Sequence, residues 1–146
     1  MITQIFDNKK QYLALLLLAD EQESMIDKYL ERGEMFVLSE NEVIAECVVT
    51  DEGDGVCEIK NIATAPKYQR KGYGRQLLDF ICKRYCSKYF KIQVGTGDSA
   101  RTIKFYQSCG FVKSHRKENF FVEHYDHAIY EDGKQLVDMI YLSKFI

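Results

Sequence analysis

Tryptophan is absent from the chain and proline occurs once, at Pro66. A single proline excludes Pro-rich linkers and polyproline recognition segments. The five cysteines (Cys47, Cys57, Cys82, Cys86 and Cys109) form no CxxC and leave one unpaired. That argues against a disulfide framework and against a zinc knuckle. They read as small buried hydrophobes in a reducing cell. His124 and His127 stand close together, but no further ligand follows at metal spacing, so no metal is expected. The longest apolar run, Tyr12 to Ala19, falls far short of the ~20 residues of a membrane span. The opening MITQIFDNKK lacks the basic-then-apolar order of a signal peptide, so a cytoplasmic protein with no membrane partner is expected. No repeat, low-complexity tract or linker is visible, and 146 residues suit one domain over residues 1–146.

Charge is nearly balanced overall, at −2, but unevenly placed: residues 1–58 hold 14 acidic and 4 basic side chains, residues 59–146 hold 8 and 16, about −10 against +8. Two solvated faces would give this pattern. So would one half that holds an anionic ligand and another that faces a cationic one. A nucleic-acid partner is not expected, because the cations cluster locally in an acidic chain.

Hydrophobic periodicity orders the elements. Ile2 to Asp7 reads as a strand, and residues 9–33 as two helices broken near Ala19 to Glu23 and closed by Gly33. Three strands follow, EMFVLSE, EVIAECVVT and VCEIKNIAT, the last ended by Pro66. Gly72 to about Tyr89 is helical, KIQVGT is a strand, and DSARTIKFYQSCG is a helix with Asp98 or Ser99 as N-cap and Gly110 as stop. FVKSH begins a strand, and the segment from His127 to Phe145 reads as one hairpin around Asp132-Gly133. This order predicts an α/β (α+β) fold with a mixed, mostly antiparallel sheet and helices on both faces.

One turn stands out. In APKYQRKGYGRQLL, from Ala65 to Leu78, the cations Lys67, Arg70, Lys71 and Arg75 crowd around Gly72 and Gly74 where a strand gives way to a helix. A helix N-terminus offers unpaired N–H groups and positive potential, and glycine lets a phosphate approach the backbone. The third glycine of a dinucleotide fingerprint is replaced by Leu77, and no Walker A loop is present. A solvated turn and an anion cradle both fit the turn taken alone.

QRKGYG (Gln69 to Gly74) resembles the Q/R-x-x-G-x-G/A signature of the GNAT superfamily of N-acetyltransferases, and FYQSCGF (Phe105 to Phe111) resembles that family's later Tyr-bearing helix followed by Gly-Phe. The resemblance spans nearly the whole chain. It implies a single-domain GNAT-like fold whose sheet is splayed between strands 4 and 5, and acetyl-CoA as cosubstrate. It implies that Gln69, Arg70, Lys71, Gly72, Tyr73, Gly74 and Arg75 hold the pyrophosphate. The backbone of Ile62, Ala63 and Thr64 would pair with the pantetheine arm. Ser99 stands where the family often has a cofactor-contacting Asn, and Tyr106 matches the Tyr that protonates the departing thiolate.

Acetyl transfer to an amine also needs a proton acceptor. Glu58 is the candidate, because similar proteins often carry Glu there and because it shares strand parity with Lys60 and Ile62. A salt-bridged structural carboxylate is the competing reading. Asp20, Glu21, Glu23, Asp27, Glu31 and Glu34, with Glu123, Asp126, Glu131 and Asp132 beside Phe120, Phe121, Tyr125 and Tyr130, suit a small cationic amine or amino-sugar acceptor. Solvated helix and hairpin surface fits them equally. The expected activity is N-acetyl transfer by direct attack in a ternary complex. The alternative is an acetyl-CoA sensor or interaction module without turnover. The aromatic final segment suits either a homodimer interface or a wall of the active site.

Overall fold

A computed structural model describes residues 1–146. Sixteen short elements build it. They are β1 (Ile2–Ile5), a 3-10 turn (Lys9–Tyr12), α1 (Leu13–Ala19), α2 (Glu23–Ile26), β2 (Glu34–Ser39), β3 (Val43–Gly53), β4 (Val56–Thr64), a 3-10 turn (Pro66–Tyr68), α3 (Tyr73–Tyr85), β5 (Lys91–Gly97), α4 (Ala100–Ser108), β6 (Val112–Lys117), α5 (Phe120–His124), β7 (Tyr130–Glu131), β8 (Lys134–Gln135) and β9 (Met139–Phe145).

Seven strands form one sheet in the order β1-β2-β3-β4-β5-β9-β6. All neighbours are antiparallel except β4 and β5. That parallel pair is the one joined by a helical crossover, through α3, as a parallel connection requires. Helices cover both faces. On one, Leu77, Leu78 and Ile81 of α3 and Ile103 of α4 meet Phe36, Cys47 and Ile59. On the other, Leu16 of α1 and Ile26 of α2, with Tyr29 and Leu30, meet Met35, Val37 and Val48. No helix is long and apolar enough to cross a membrane.

The sheet opens in its middle. β4 and β5 pair only from Val56↔Lys91 to Ile59↔Val94. Above that level, residues 61–64 of β4 keep β3 but have no partner on the β5 side. The cause is a bulge: the β3–β4 register runs Val48↔Asn61 and then Val49↔Ile59, which leaves Lys60 as the extra residue. A bulge bends its strand and breaks the alternation of faces. Glu58, Asn61 and Ala63 therefore oppose Thr50, Val48 and Glu46 and share the α1/α2 face, whereas Ile59, Ile62 and Thr64 oppose Val49, Cys47 and Ala45 and share the α3 face. The expected common parity of Glu58 and Ile62 is thus wrong, although Lys60 does reach Glu58.

Two other expectations change. Asp132 and Gly133 do form the turn, with φ of 52° and 78°, the left-handed pair a tight hairpin needs. Its arms are only two residues long, Tyr130↔Gln135 and Glu131↔Lys134. β9 leaves this hairpin and inserts between β5 and β6, where consecutive Ile140, Tyr141 and Leu142 are buried. Ser99 occupies the N-cap position of α4 as expected, but its side chain makes no cap hydrogen bond.

Candidate active site

The turn from Gln69 to Gly74 is a shallow cup of backbone. Gln69 is extended, Arg70 has φ 62° and Gly72 has φ 90°. Two left-handed residues so close together curl successive N–H groups toward one side, a geometry that binds anions. The first helical bond of α3 runs from Gln76 N–H to Gly72 O at 3.0 Å, so the N–H groups of Tyr73, Gly74 and Arg75 precede any intrahelical partner. Space above Gly72 is open, and its φ excludes ordinary side chains. Of the four cations, Lys67 is paired with Glu42. Arg75 donates to Ser108 O and Oγ at 3.2 and 2.8 Å. Arg70 and Lys71 are exposed and take part in no ion pair, so the unengaged charge lies at the tip of the cup.

Below the cup runs the open edge of β4. Ala65 N–H donates to Ile44 O at 2.8 Å. Antiparallel strands alternate, so Ala63, two residues away, also turns its peptide groups to β3, while Ile62 and Thr64 turn theirs to the gap. Gln69 Nε2 donates to Thr64 O at 3.0 Å, which ties the cup to this edge. Ser99 is buried at the start of α4, with its N–H on Gly97 O at 2.7 Å. Tyr106, one side of α4 further on, is 5% exposed, and its ring is edge-on to Phe105 and Phe111 at 5.3 and 5.7 Å. Burial pushes its phenol up, with Cys109, Glu131 and Glu46 adding to the shift. It therefore holds its proton firmly at neutral pH.

Glu58 is brought less close to this gap than the sequence suggested. It lies below the bulge, where β4 and β5 are still paired. Both its oxygens are engaged, Oε1 by Gln93 Nε2 at 2.6 Å and Oε2 by Lys60 Nζ at 2.8 Å. This is the arrangement of a salt-bridged structural carboxylate.

On the α1/α2 face, the link between α1 and α2 meets the segment after α5. Asp20 accepts from Tyr29 Oη at 2.8 Å and Tyr125 Oη at 2.6 Å. Asp126 N–H donates to Gln22 Oε1 at 2.9 Å, and His127 bridges Asp126 and Glu21 at 2.6 and 3.0 Å. Those two carboxylates, Asp126 foremost, raise the His127 pKa. Burial raises that of Asp20 against the hydrogen bonds it receives. Three more of the acidic stretch are occupied elsewhere: Glu23 and Asp27 pair with Lys10, and Glu34 accepts from Tyr85 Oη at 2.6 Å; Glu31 is exposed. Phe120, Phe121 and Tyr125 pack together beside this junction.

Two side chains that the sequence analysis did not single out belong to the same region. Glu46 of β3 is 0% exposed and Asn61 of β4 is 3% exposed. Asn61 Nδ2 donates to Leu16 O at 3.0 Å and Tyr29 Oη at 3.1 Å. Asn61 Oδ1 and both oxygens of Glu46 have no hydrogen-bond partner. Burial pushes the Glu46 carboxyl well above the usual range; the Ala63 amide across the ladder offsets this in part without reaching hydrogen-bonding geometry. The available signal was a glutamate inside the apolar run VIAECVV.

Comparison with known proteins agrees with this geometry. Residues 31–113 match the acetyltransferase (GNAT) domain family. An N-acetyltransferase of Bacillus subtilis (strain 168), YvbK, described as uncharacterized, is 40% identical over 131 residues, covering 88% of this chain and 84% of that one. A GNAT family acetyltransferase from Elizabethkingia anophelis, solved with acetyl-CoA bound, superposes with a TM-score of 0.95 at 36% identity over 100% of this chain and 97% of its own. A Bacillus subtilis acetyltransferase in complex with CoA gives 0.89 at 36% identity, over 99% and 97%.

Proposed function

The chain belongs to the GNAT acetyltransferases, which use acetyl-CoA, and from that premise we propose that it transfers the acetyl group to the primary amine of a small cationic molecule or amino-sugar. The observation that carries this reading is the gap between β4 and β5, with a glycine cup at one end and the buried carboxyl of Glu46 on the adjoining strand β3. The residues present fit the cosubstrate. Backbone N–H groups of the turn from Gln69 to Gly74 and of the first turn of α3, reaching Arg75, take the pyrophosphate, since the cup is open above Gly72. Arg70 and Lys71 add charge at its rim. Ile62 offers both its outward peptide groups and Thr64 its outward N–H to the amide-bearing arm, the Thr64 carbonyl being held by Gln69, while Ala63 contributes only its place in the edge. Ser99, between the end of β5 and the start of α4, is taken as a further cofactor contact.

Acetyl-CoA supplies a thioester carbonyl whose sulfur must leave with a proton. Tyr106, buried and protonated, is the donor. The Asp20 junction, its tyrosines and the Phe120–Tyr125 aromatics give the acceptor side negative charge and flat apolar surface. All of these groups belong to one domain, residues 1–146.

Free-thiol release from acetyl-CoA across an amine library tests the reading, with CoA-induced thermal stabilisation as the binding control. Turnover of cationic amines is the expected result. Turnover confined to anionic or neutral acceptors would overturn the acceptor class. CoA binding without thiol release for any amine would return the sensor reading.

A further inference from the structure

Glu46 and Asn61 present three buried acceptor atoms and no free donor. The register places them together. Glu46 faces Ala63 and Asn61 faces Val48, so the two are diagonal neighbours on one face, with β-carbons roughly 7 Å apart. Both stand above the bulge, at the level where β4 has left β5. The Asn61 amide cannot usefully be turned round, because its nitrogen is already held by Leu16 O and Tyr29 Oη. Its oxygen is therefore the free end. Glu46 lies within Coulombic reach of the Tyr106 phenol and of the Tyr29 phenol. The carboxyl's charge is thus felt both by the expected proton donor for sulfur and by the polar junction on the acceptor side.

Three acceptors without a donor call for a partner that carries several N–H groups and positive charge. An alkylammonium is that partner. We propose that Glu46 and Asn61 Oδ1 hold the acceptor's ammonium nitrogen, and that Glu46 rather than Glu58 takes the proton which this nitrogen must lose before it attacks. The proposal rests on the amine-acceptor reading above. Burial makes Glu46 a stronger proton acceptor than an ordinary glutamate, closer to the basicity of an amine.

The bonds balance. The bound ammonium's charge favours the carboxylate form of Glu46, which then accepts one N–H proton and frees the nitrogen lone pair. That pair forms the C–N bond to the acetyl carbonyl carbon as the C–S bond breaks. The departing sulfur takes the Tyr106 hydroxyl proton, and the nitrogen's second proton restores the phenol. The proton on Glu46 leaves to solvent, so each turnover converts an ammonium and a thioester into an amide, a thiol and one released proton.

The test uses the fastest acceptor among tyramine, spermidine, glucosamine and n-butylamine, with thiol release as readout. Glu46→Gln should lower kcat about 100-fold or more and leave the KM for acetyl-CoA within about twofold of wild type. Glu46→Leu should lose activity equally while its urea midpoint stays level or rises, because an unpaired buried carboxyl is gone. Glu58→Gln should keep kcat within about tenfold. A Glu46→Gln enzyme close to wild-type kcat would overturn the proposal and leave the amine reading intact. Loss of activity together with lower midpoints in both Glu46 variants would also overturn it, by showing a structural role. If the wild type acetylates none of the four amines, the amine reading falls first and this proposal with it.

Discussion

A phenol enclosed by Phe105 and Phe111 and lifted by burial has one useful state at neutral pH, the protonated one. Tyr106→Phe keeps the ring and its packing and removes only the transferable proton. We expect kcat to fall by about 100-fold or more with the CoA-induced rise in melting temperature retained; unchanged turnover would remove Tyr106 from the reaction. Glu46 gives a second prediction from the same physics with opposite consequence. Its folded-state pKa is raised, so the folded protein binds more protons than the unfolded one. The stability it contributes is complete below the unfolded value of about 4.3 and is lost as pH rises toward the folded value. Urea unfolding at several pH values should show Glu46→Gln gaining on wild type as pH rises from about 5 to 8, by at most about 1.4 kcal/mol per unit. A constant difference would mean the carboxyl is not protonated by folding. Tyr106 could be singled out because FYQSCGF resembles a family pattern that is local in sequence. Glu46 could not. A glutamate among strand residues reads as the outward alternate of a half-buried strand, and only the helices on both faces turn that position inward.

At the scale of elements, the link between α2 and β2 depends on one buried cation. Lys9, at 5% exposure, donates from Nζ to Leu30 O, Glu31 O and Gly33 O at 3.0, 3.4 and 2.7 Å. These carbonyls belong to the turns after α2, itself a helix too short to stand alone. Lys9→Met should lower the unfolding free energy by at least about 2 kcal/mol with an unchanged denaturant slope, and hydrogen exchange should quicken first around residues 27–33. Most elements were legible from periodicity and turn chemistry: the first early helix, the three-strand meander, α3, β5 and α4, whereas the second helix stops at Ile26 instead of running to Gly33. The final segment was not legible, for a physical reason. Asp132-Gly133 signals a turn wherever it stands, but nothing local states how far the paired arms extend. Ile140, Tyr141 and Leu142 gain more by burial between β5 and β6 than by continuing the small hairpin. The bulge at Lys60 was equally silent, because VCEIKNIAT alternates well enough in either register.

The whole molecule keeps its opposite charges apart, acid largely in residues 1–58 and base in residues 59–146. Exposed charges steer ligands over about a Debye length, which shrinks from ~10 Å at 0.1 M salt to ~3 Å at 1 M. The KM for acetyl-CoA should therefore rise several-fold between low and high salt while kcat changes little. Arg70→Ala with Lys71→Ala should flatten that dependence, since these two cations are the unengaged ones at the cup. A salt response identical to wild type would assign the phosphate attraction to the backbone alone. The position of β9 has a consequence of another kind. β6 has no sheet neighbour but β9, and β5 has only β9 on its far side. While a ribosome is making the chain, residues 112–117 must wait, unpaired, until residues 139–145 have emerged. Translation speed over that interval, rather than any contact in the finished protein, then decides how long an open strand is offered to its neighbours in the cell.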